Sequence, residues 1–203
     1  WKGQNLFTSE MSPEGWRALN RLTREQGDIA VLCGLESAYV ERPFAVHDAV
    51  LRHFYTKIEY VDRLEDVAAP ADKFTIYLPQ HNAQQAYDTV YASQRSIYSV
   101  AVAGECWVDI MNPGVHKGAA LQTLGQLWGL PSESMMAFGD TYNDAEMLRT
   151  AKYGFLMENG SVPLCQKVPF LAPSHREAGV MQVLHRVLAQ NGCVCPEDFI
   201  PAH

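Results

Sequence analysis

The 203 residues allow one large domain or two small ones, and 47% hydrophobic residues are enough to bury a substantial core. The longest apolar runs fall well short of the roughly 20 residues a membrane-spanning helix needs, and no signal peptide is visible, so no membrane partner is expected. A balance of 23 acidic to 16 basic residues gives a formal charge of −7 with no basic cluster. That argues against nucleic acid as the main partner, and it means that an anionic substrate must be attracted locally. The five cysteines, Cys33, Cys106, Cys165, Cys193 and Cys195, are odd in number and mostly scattered through apolar stretches, as expected of reduced thiols in a cytoplasmic protein. Cys193-Val194-Cys195 has no second pair or nearby histidine to complete a zinc site.

The first strong signal is Ser12-Pro13, an N-cap followed by proline at the first helical position, after which Trp16, Leu19, Leu22 and Thr23 keep helical spacing up to Gly27. Ile29 to Cys33 and Ser37 to Glu41 flank Gly34-Leu35-Glu36 and read as a hairpin. Val46, Ala49, Val50 and Phe54 mark the apolar face of a second helix. Lys73 to Leu78 alternates, with Phe74, Ile76 and Leu78 on one face, and is expected to be a strand half exposed to solvent. Asn82 is placed as the cap of a helix carrying Ala83, Ala86, Tyr87, Val90 and Tyr91. Ser96 to Val102 and Cys106 to Met111 form two strands around Ala103-Gly104-Glu105. These elements make an antiparallel α+β module.

After Pro113-Gly114 the pattern becomes helix, strand, helix, strand, strand, helix with short links, which implies a parallel sheet. The domain boundary is therefore placed between residues 112 and 113. Lys117 to Trp128 carries Leu121, Leu124, Leu127 and Trp128 on one face and ends at Gly129. Ser134 to Phe138 is a buried strand, Asp144 to Thr150 a short helix and Tyr153 to Met157 the next strand. Glu158-Asn159-Gly160-Ser161 is a loop opening a weak helix, in which Pro163 is tolerable only in the first turn. Val168-Pro169-Phe170-Leu171 is expected at a sheet edge because of its proline. Val180, Val183, Leu184, Val187 and Leu188 define a last helix, stopped by Asn191-Gly192.

Chemistry concentrates at Phe138-Gly139-Asp140-Thr141-Tyr142-Asn143-Asp144, where an apolar run stops and two carboxylates and an amide follow. This is the carboxyl end of a strand, where open α/β sheets bind ligands. Asp140 suits a hard cation such as Mg²⁺, which is commonly held by one or two carboxylates plus substrate phosphate, with Asn143 and Asp144 as orienting residues. The plainer alternative is an acidic loop that caps the next helix. Lys117, at the start of the preceding helix, favours the first reading: a cation at a helix N-terminus opposes the dipole and asks for another reason to be there.

Lys117-Gly118-x-Ala120-Leu121, Gly139-Asp140-x-x-Asn143-Asp144-x-x-Met147 and Met157-x-Asn159, in that order, resemble the haloacid dehalogenase superfamily of phosphatases, in the Cof-like branch that carries a large α+β cap. Cys33 to Val40 is similar to a stretch in caps of sugar-phosphate phosphatases of that branch. The resemblance implies a partial Rossmann-like α/β core over residues 113–203, with an α+β cap over residues 1–112. It also implies a magnesium-dependent hydrolysis of a small phosphorylated metabolite, such as a sugar phosphate, through an aspartyl-phosphate. By position, Lys117 and Asp144 are the implied catalytic residues, Lys117, Asn143 and Asn159 the phosphate contacts, and Asp140 the metal ligand. The family's nucleophile lies in a D-x-D motif on the first core strand, and no two aspartates stand at i and i+2 here. The chain is accordingly expected to be the C-terminal part of a longer phosphatase, inactive alone. A non-catalytic phosphometabolite-binding protein and a phosphotransferase or mutase are the alternatives. Oligomeric state is not legible in these signals.

Overall fold

The structure, a computed structural model, describes residues 1–161 and 168–201 and divides into two compact units, Trp1–Val115 and His116–His203. Among the described residues no helix is long and apolar enough to cross a membrane.

The first unit opens with α1 (Pro13–Gln26), whose start and stop are set locally. The Ser12 hydroxyl accepts the Gly15 N–H at 3.0 Å, and Gly27 closes the helix in the left-handed conformation with φ 74°. Replacing Ser12 by Ala leaves that N–H without its side-chain partner, and a loss of about 1 kcal/mol of stability is expected in denaturant unfolding. A change within experimental error would show the cap to be idle.

The strands are β1 (Ile29–Gly34), β2 (Ala38–Glu41), β3 (Ile58–Val61), β4 (Ala71–Tyr77), β5 (Ser99–Val102) and β6 (Trp107–Met111). They form one sheet in the order β3-β2-β1-β4-β6-β5. Neighbours are antiparallel except β2 and β3, which pair in parallel with Val40 opposite Tyr60. Here the sequence reading needs correction, because β3 went unrecognised and the sheet is mixed. Residues 42–57 form a crossover long enough to bring β3 alongside β2 in the same direction.

That crossover also corrects two further expectations. The helix expected around Val46, Ala49, Val50 and Phe54 is a 3₁₀ turn, Arg42–His47, followed by the four-residue α2 (Asp48–Leu51). Leu51 is its fully buried residue, while Val46 and Phe54 are exposed. A 3₁₀ turn repeats every three residues, so it rotates the inward face away from the one that a 3.6-residue period selects. The same segment covers the second face of the sheet, where Phe54 and Tyr55 meet Trp107 edge-on and Tyr77 lies beside it. Thr75 and Tyr77 are therefore buried, and β4 is a central strand covered on both sides. Its other face, with Phe74 and Ile76, joins Trp16, Leu19, Leu32, Tyr91 and Ile110 in the main core. Between β4 and β5 stands α3 (Ala83–Asp88). Asn82 makes no side-chain cap bond, and its Oδ1 is buried without a partner.

The second unit contains α4 (Lys117–Trp128), β7 (Met136–Gly139), α5 (Ala145–Thr150), β8 (Tyr153–Met157), β9 (Phe170–Ala172), α6 (Gly179–Ala189) and β10 (Ile200–Pro201). Its sheet has the order β10-β9-β8-β7, with β7, β8 and β9 parallel and β10 antiparallel to β9. The strand after Pro169 is thus not at an edge, because β10 pairs along its outer side. One sheet face packs Ala137 and Leu156 against Leu121, Ala145 and Leu148. The other buries Phe155 between the stacked rings of Phe138 and Phe170, with Val183 and Phe199 in the same cluster. Both faces of a parallel sheet are covered, as a Rossmann-like α/β core requires. The weak helix expected after Ser161 falls outside the described residues.

The inward face of α4 also differs from expectation. Leu127 and Trp128 are exposed, while Gly118 and Gly125 are buried. A Cβ on Gly118 would lie 2.7 Å from the Glu146 carbonyl carbon, so the missing side chain lets α4 lie almost directly on the chain of α5. Close approach between backbones, rather than leucine spacing, selects the packed face.

Candidate active site

The loop after β7 is built around one buried carboxylate. Asp144 is 4% exposed, and its Oδ2 accepts the backbone N–H groups of Asp140 at 3.0 Å and Thr141 at 3.3 Å. Its Oδ1 accepts from the Lys117 ammonium at 2.5 Å. Thr141 and Asp144 also form a reciprocal capping box at the start of the Tyr142–Asp144 turn. Gly139 makes this fold-back possible, since a Cβ there would stand 2.4 Å from the Asp144 Cβ. A buried acid with one cationic and two amide partners is anchored on both oxygens, so Asp144 acts as a post that orients Lys117.

Lys117 reaches that post because His116 starts α4 correctly. His116 Nδ1 accepts the Ala119 N–H at 3.1 Å, and Gly118 brings the helix onto Glu146. The Lys117 side chain remains 50% exposed, and of its three ammonium donors one is taken by Asp144. Asn143 presents its donors in the same way. Its Oδ1 accepts from the Thr141 hydroxyl at 2.6 Å, and among the described residues its two amide N–H groups have no acceptor. The available side-chain groups of Lys117 and Asn143 are donors, as an anion requires.

Asp140 differs from Asp144 in every respect. It is exposed, and among the described residues its carboxylate has no hydrogen-bond or ion-pair partner. Its backbone carbonyl accepts the Ser161 N–H at 2.8 Å, which ties it to the loop following β8. Gly160 permits that contact, because a Cβ would lie 2.7 Å from the Asp140 carbonyl oxygen. Among the described residues no three His, Cys, Asp or Glu side chains gather as a metal cluster. One exposed carboxylate is a donor that a hard cation accepts, so Asp140 could serve such an ion as a single carboxylate ligand.

Asn159 lies on the same loop, but its Oδ1 accepts the His175 N–H at 3.0 Å. It braces the segment before α6 with its oxygen and keeps only its amide donors for any other partner. Lys117, Asp140, Asn143 and Asp144 are therefore gathered at the carboxyl end of β7, while Asn159 is partly committed to structure. The sequence reading missed Thr141, although the T-x-x-D spacing of a capping box marks it. It also missed the contacts that require Gly118, Gly139 and Gly160, for which spacing carries no signal.

A parallel sheet covered on both faces, with a cation, amide donors and a carboxylate at one strand's carboxyl end, defines an α/β protein with polar groups where such sheets bind ligands. Residues 1–184 match the haloacid dehalogenase-like hydrolases, and the chain belongs to that family, in its Cof-like branch of phosphatases. It is 30% identical over 190 residues to the 5-amino-6-(5-phospho-D-ribitylamino)uracil phosphatase YbjI of Escherichia coli K12, covering 92% of this chain and 70% of that protein. A segment of 64 residues is 44% identical to the HMP-PP phosphatase of Cronobacter sakazakii, covering 32% of this chain and 24% of that protein. Among solved structures, SMU.1108c of Streptococcus mutans UA159 superposes with a TM-score of 0.83 at 26% identity, over 93% of this chain and 72% of that one. A sugar phosphatase of haloacid dehalogenase subclass IIB shares the fold, with a TM-score of 0.78 at 17% identity over 91% of this chain and 70% of that one.

Proposed function

We propose that this chain carries the phosphate- and metal-binding part of a magnesium-dependent phosphomonoester hydrolase that acts on a small phosphorylated metabolite. The observation that supports it most is the buried Asp144, which binds the Lys117 ammonium with one oxygen and the Asp140 N–H with the other at one strand end. Lys117 and the Asn143 amide donate to the non-bridging oxygens of the phosphoryl group and lower the repulsion between it and an attacking carboxylate. Asp144 keeps the ammonium in place through the reaction. Asp140 would hold a magnesium ion, whose positive charge would offset the charge that develops on the phosphoryl oxygens. The first unit serves as the cap that selects the metabolite, and names such as that of the YbjI relative point to a phosphorylated polyol or sugar as its class.

Attack by an aspartate would give an aspartyl-phosphate that water then hydrolyses. The 203 residues contain no aspartates at i and i+2, so the attacking carboxylate would come from a segment outside them. The outer side of β7 has no strand partner among the described residues and offers a place for such a strand. The purified 203-residue chain is accordingly expected to hydrolyse para-nitrophenyl phosphate no faster than background with magnesium present. It is still expected to bind inorganic phosphate, with NMR shifts at Lys117 and Asn143. Magnesium-dependent turnover by a verified 203-residue sample would overturn the assignment of the nucleophile. Phosphate binding by a longer chain that never turns over would instead favour a non-catalytic binding protein.

A further inference from the structure

The connection between α6 and β10 holds two thiols, Cys193 and Cys195, with Val194 between them. Asn191 and Gly192 turn the chain with φ 57° and 83°, and the Cys193 N–H donates to the Gln190 carbonyl at 3.1 Å. Beyond the turn Cys195 is extended, at φ −94° and ψ 108°. Val194 packs against the core cluster of Phe155, Val183 and Phe199. Side chains of an extended chain alternate between its two sides, so with Val194 turned inward the two cysteines share the outer side. Cys193 is exposed, Cys195 is half-buried, and both are free thiols.

That placement meets the requirements of a disulfide. Two residues of extended chain span about 6.6 Å between Cα atoms, within the range that a disulfide bridges. Cys33 and Cys106 cannot pair with each other in this way. Cys33 is opposite Lys73 on β4, whereas Cys106 stands just before Trp107, which is opposite Tyr77. The stretch of β4 from Lys73 to Tyr77, about 13 Å, keeps them apart. Cys33 is also engaged, its thiol lying 3.6 Å from the hydroxyls of both Tyr55 and Thr75. Desolvation, and after it the carboxylates of Glu197 and Asp198, push the Cys195 thiol up. A thiolate leaves a disulfide more readily the lower its pKa, so a ring closed at Cys195 reopens slowly at that sulfur.

We infer that Cys193 and Cys195 form a reversible redox site that reacts with a low-molecular-weight disulfide such as oxidised glutathione. The exposed Cys193 gives its proton to water and attacks one sulfur of the glutathione disulfide, whose S–S bond breaks; the departing glutathione thiolate takes up a proton. Cys195 then loses its proton and attacks the Cys193 sulfur, which releases the second glutathione as a thiol. The protein dithiol is oxidised by two electrons, and one glutathione disulfide is reduced to two thiols. This chemistry is independent of the proposed phosphoryl transfer.

The test is incubation of the 203-residue chain in mixtures of oxidised and reduced glutathione, followed by acid quench, intact mass and peptide mapping. Cys165→Ser is run beside the wild type, so that the cysteine outside the described residues takes no part. Both chains are expected to lose the mass of two hydrogen atoms, with the new bond mapped to Cys193 and Cys195, and to regain it in reduced glutathione. Cys195→Ser is expected to stop at one glutathione carried on Cys193, because the second thiol is missing. Cys193→Ser is expected to react about tenfold more slowly than Cys195→Ser, since the thiol it keeps is less exposed and less often ionised. Mapping in the wild type decides the matter where a serine variant fails to fold. Glutathione adducts that never close the ring, a bond that maps to other cysteines, or closure only with a stronger oxidant such as diamide would overturn the inference.

Discussion

In a phosphatase that contains this chain, Asp140→Asn is expected to lower kcat by about two to three orders of magnitude at saturating magnesium. The substitution keeps the size of the side chain and its exposed position, and it removes one negative oxygen from a carboxylate at the end of β7 that has no side-chain partner among the described residues. Phosphoryl transfer depends chiefly on positioning and charge stabilisation, so losing a metal ligand outweighs losing one hydrogen bond. Lys117→Ala is expected to come close in severity. Lys117→Arg is not expected to rescue it, because a planar fork does not reproduce a compact ammonium seated on Asp144. Unchanged kcat in Asp140→Asn would place the metal elsewhere and remove the main support for the proposed chemistry.

Gly139→Ala is expected to cost about 1–3 kcal/mol in urea unfolding and to abolish phosphate binding together with it. The added methyl would stand 2.4 Å from the Asp144 Cβ and 2.7 Å from its Cγ. Asp144 cannot yield cheaply, because it is buried and holds Lys117 and the N–H groups of Asp140 and Thr141 at once. Relief of the clash must therefore loosen the loop that orients the lysine. Stability within about 0.5 kcal/mol of wild type, with phosphate shifts intact at Lys117, would show that the loop tolerates an outward move and that Asp144 is not its post.

The positions of Asp140, Asn143, Asp144 and Lys117 could be read from residue types at strand and helix ends, yet their states could not. Asp140 and Asp144 are both aspartates of one five-residue loop. Only the folded chain distinguishes the exposed one from the buried one that anchors Lys117. Asn159 carried the same expectation as Asn143, but packing sends its oxygen to His175. The polar cluster on β4 and β6 was invisible for a related reason. Lys73 and Asp109 lie far apart in the chain and become neighbours only through strand register.

What the sequence by itself determined are the features whose causes lie within a turn or two of chain. The helices Pro13–Gln26 and Lys117–Trp128 begin and end where Ser12, Gly27, His116 and Gly129 cap them, and Tyr153–Met157 is a strand of the expected extent. Tertiary structure alone decided which faces are buried. The crossover at residues 42–57 covers the second side of β4, β10 closes the edge beyond β9, and Gly118 turns α4 toward α5 while Leu127 and Trp128 face outward. Caps and glycine conformations depend on bonds to nearby residues, so local spelling specifies them. Burial depends on which distant segment arrives to exclude water, and periodicity along one segment carries no record of that partner.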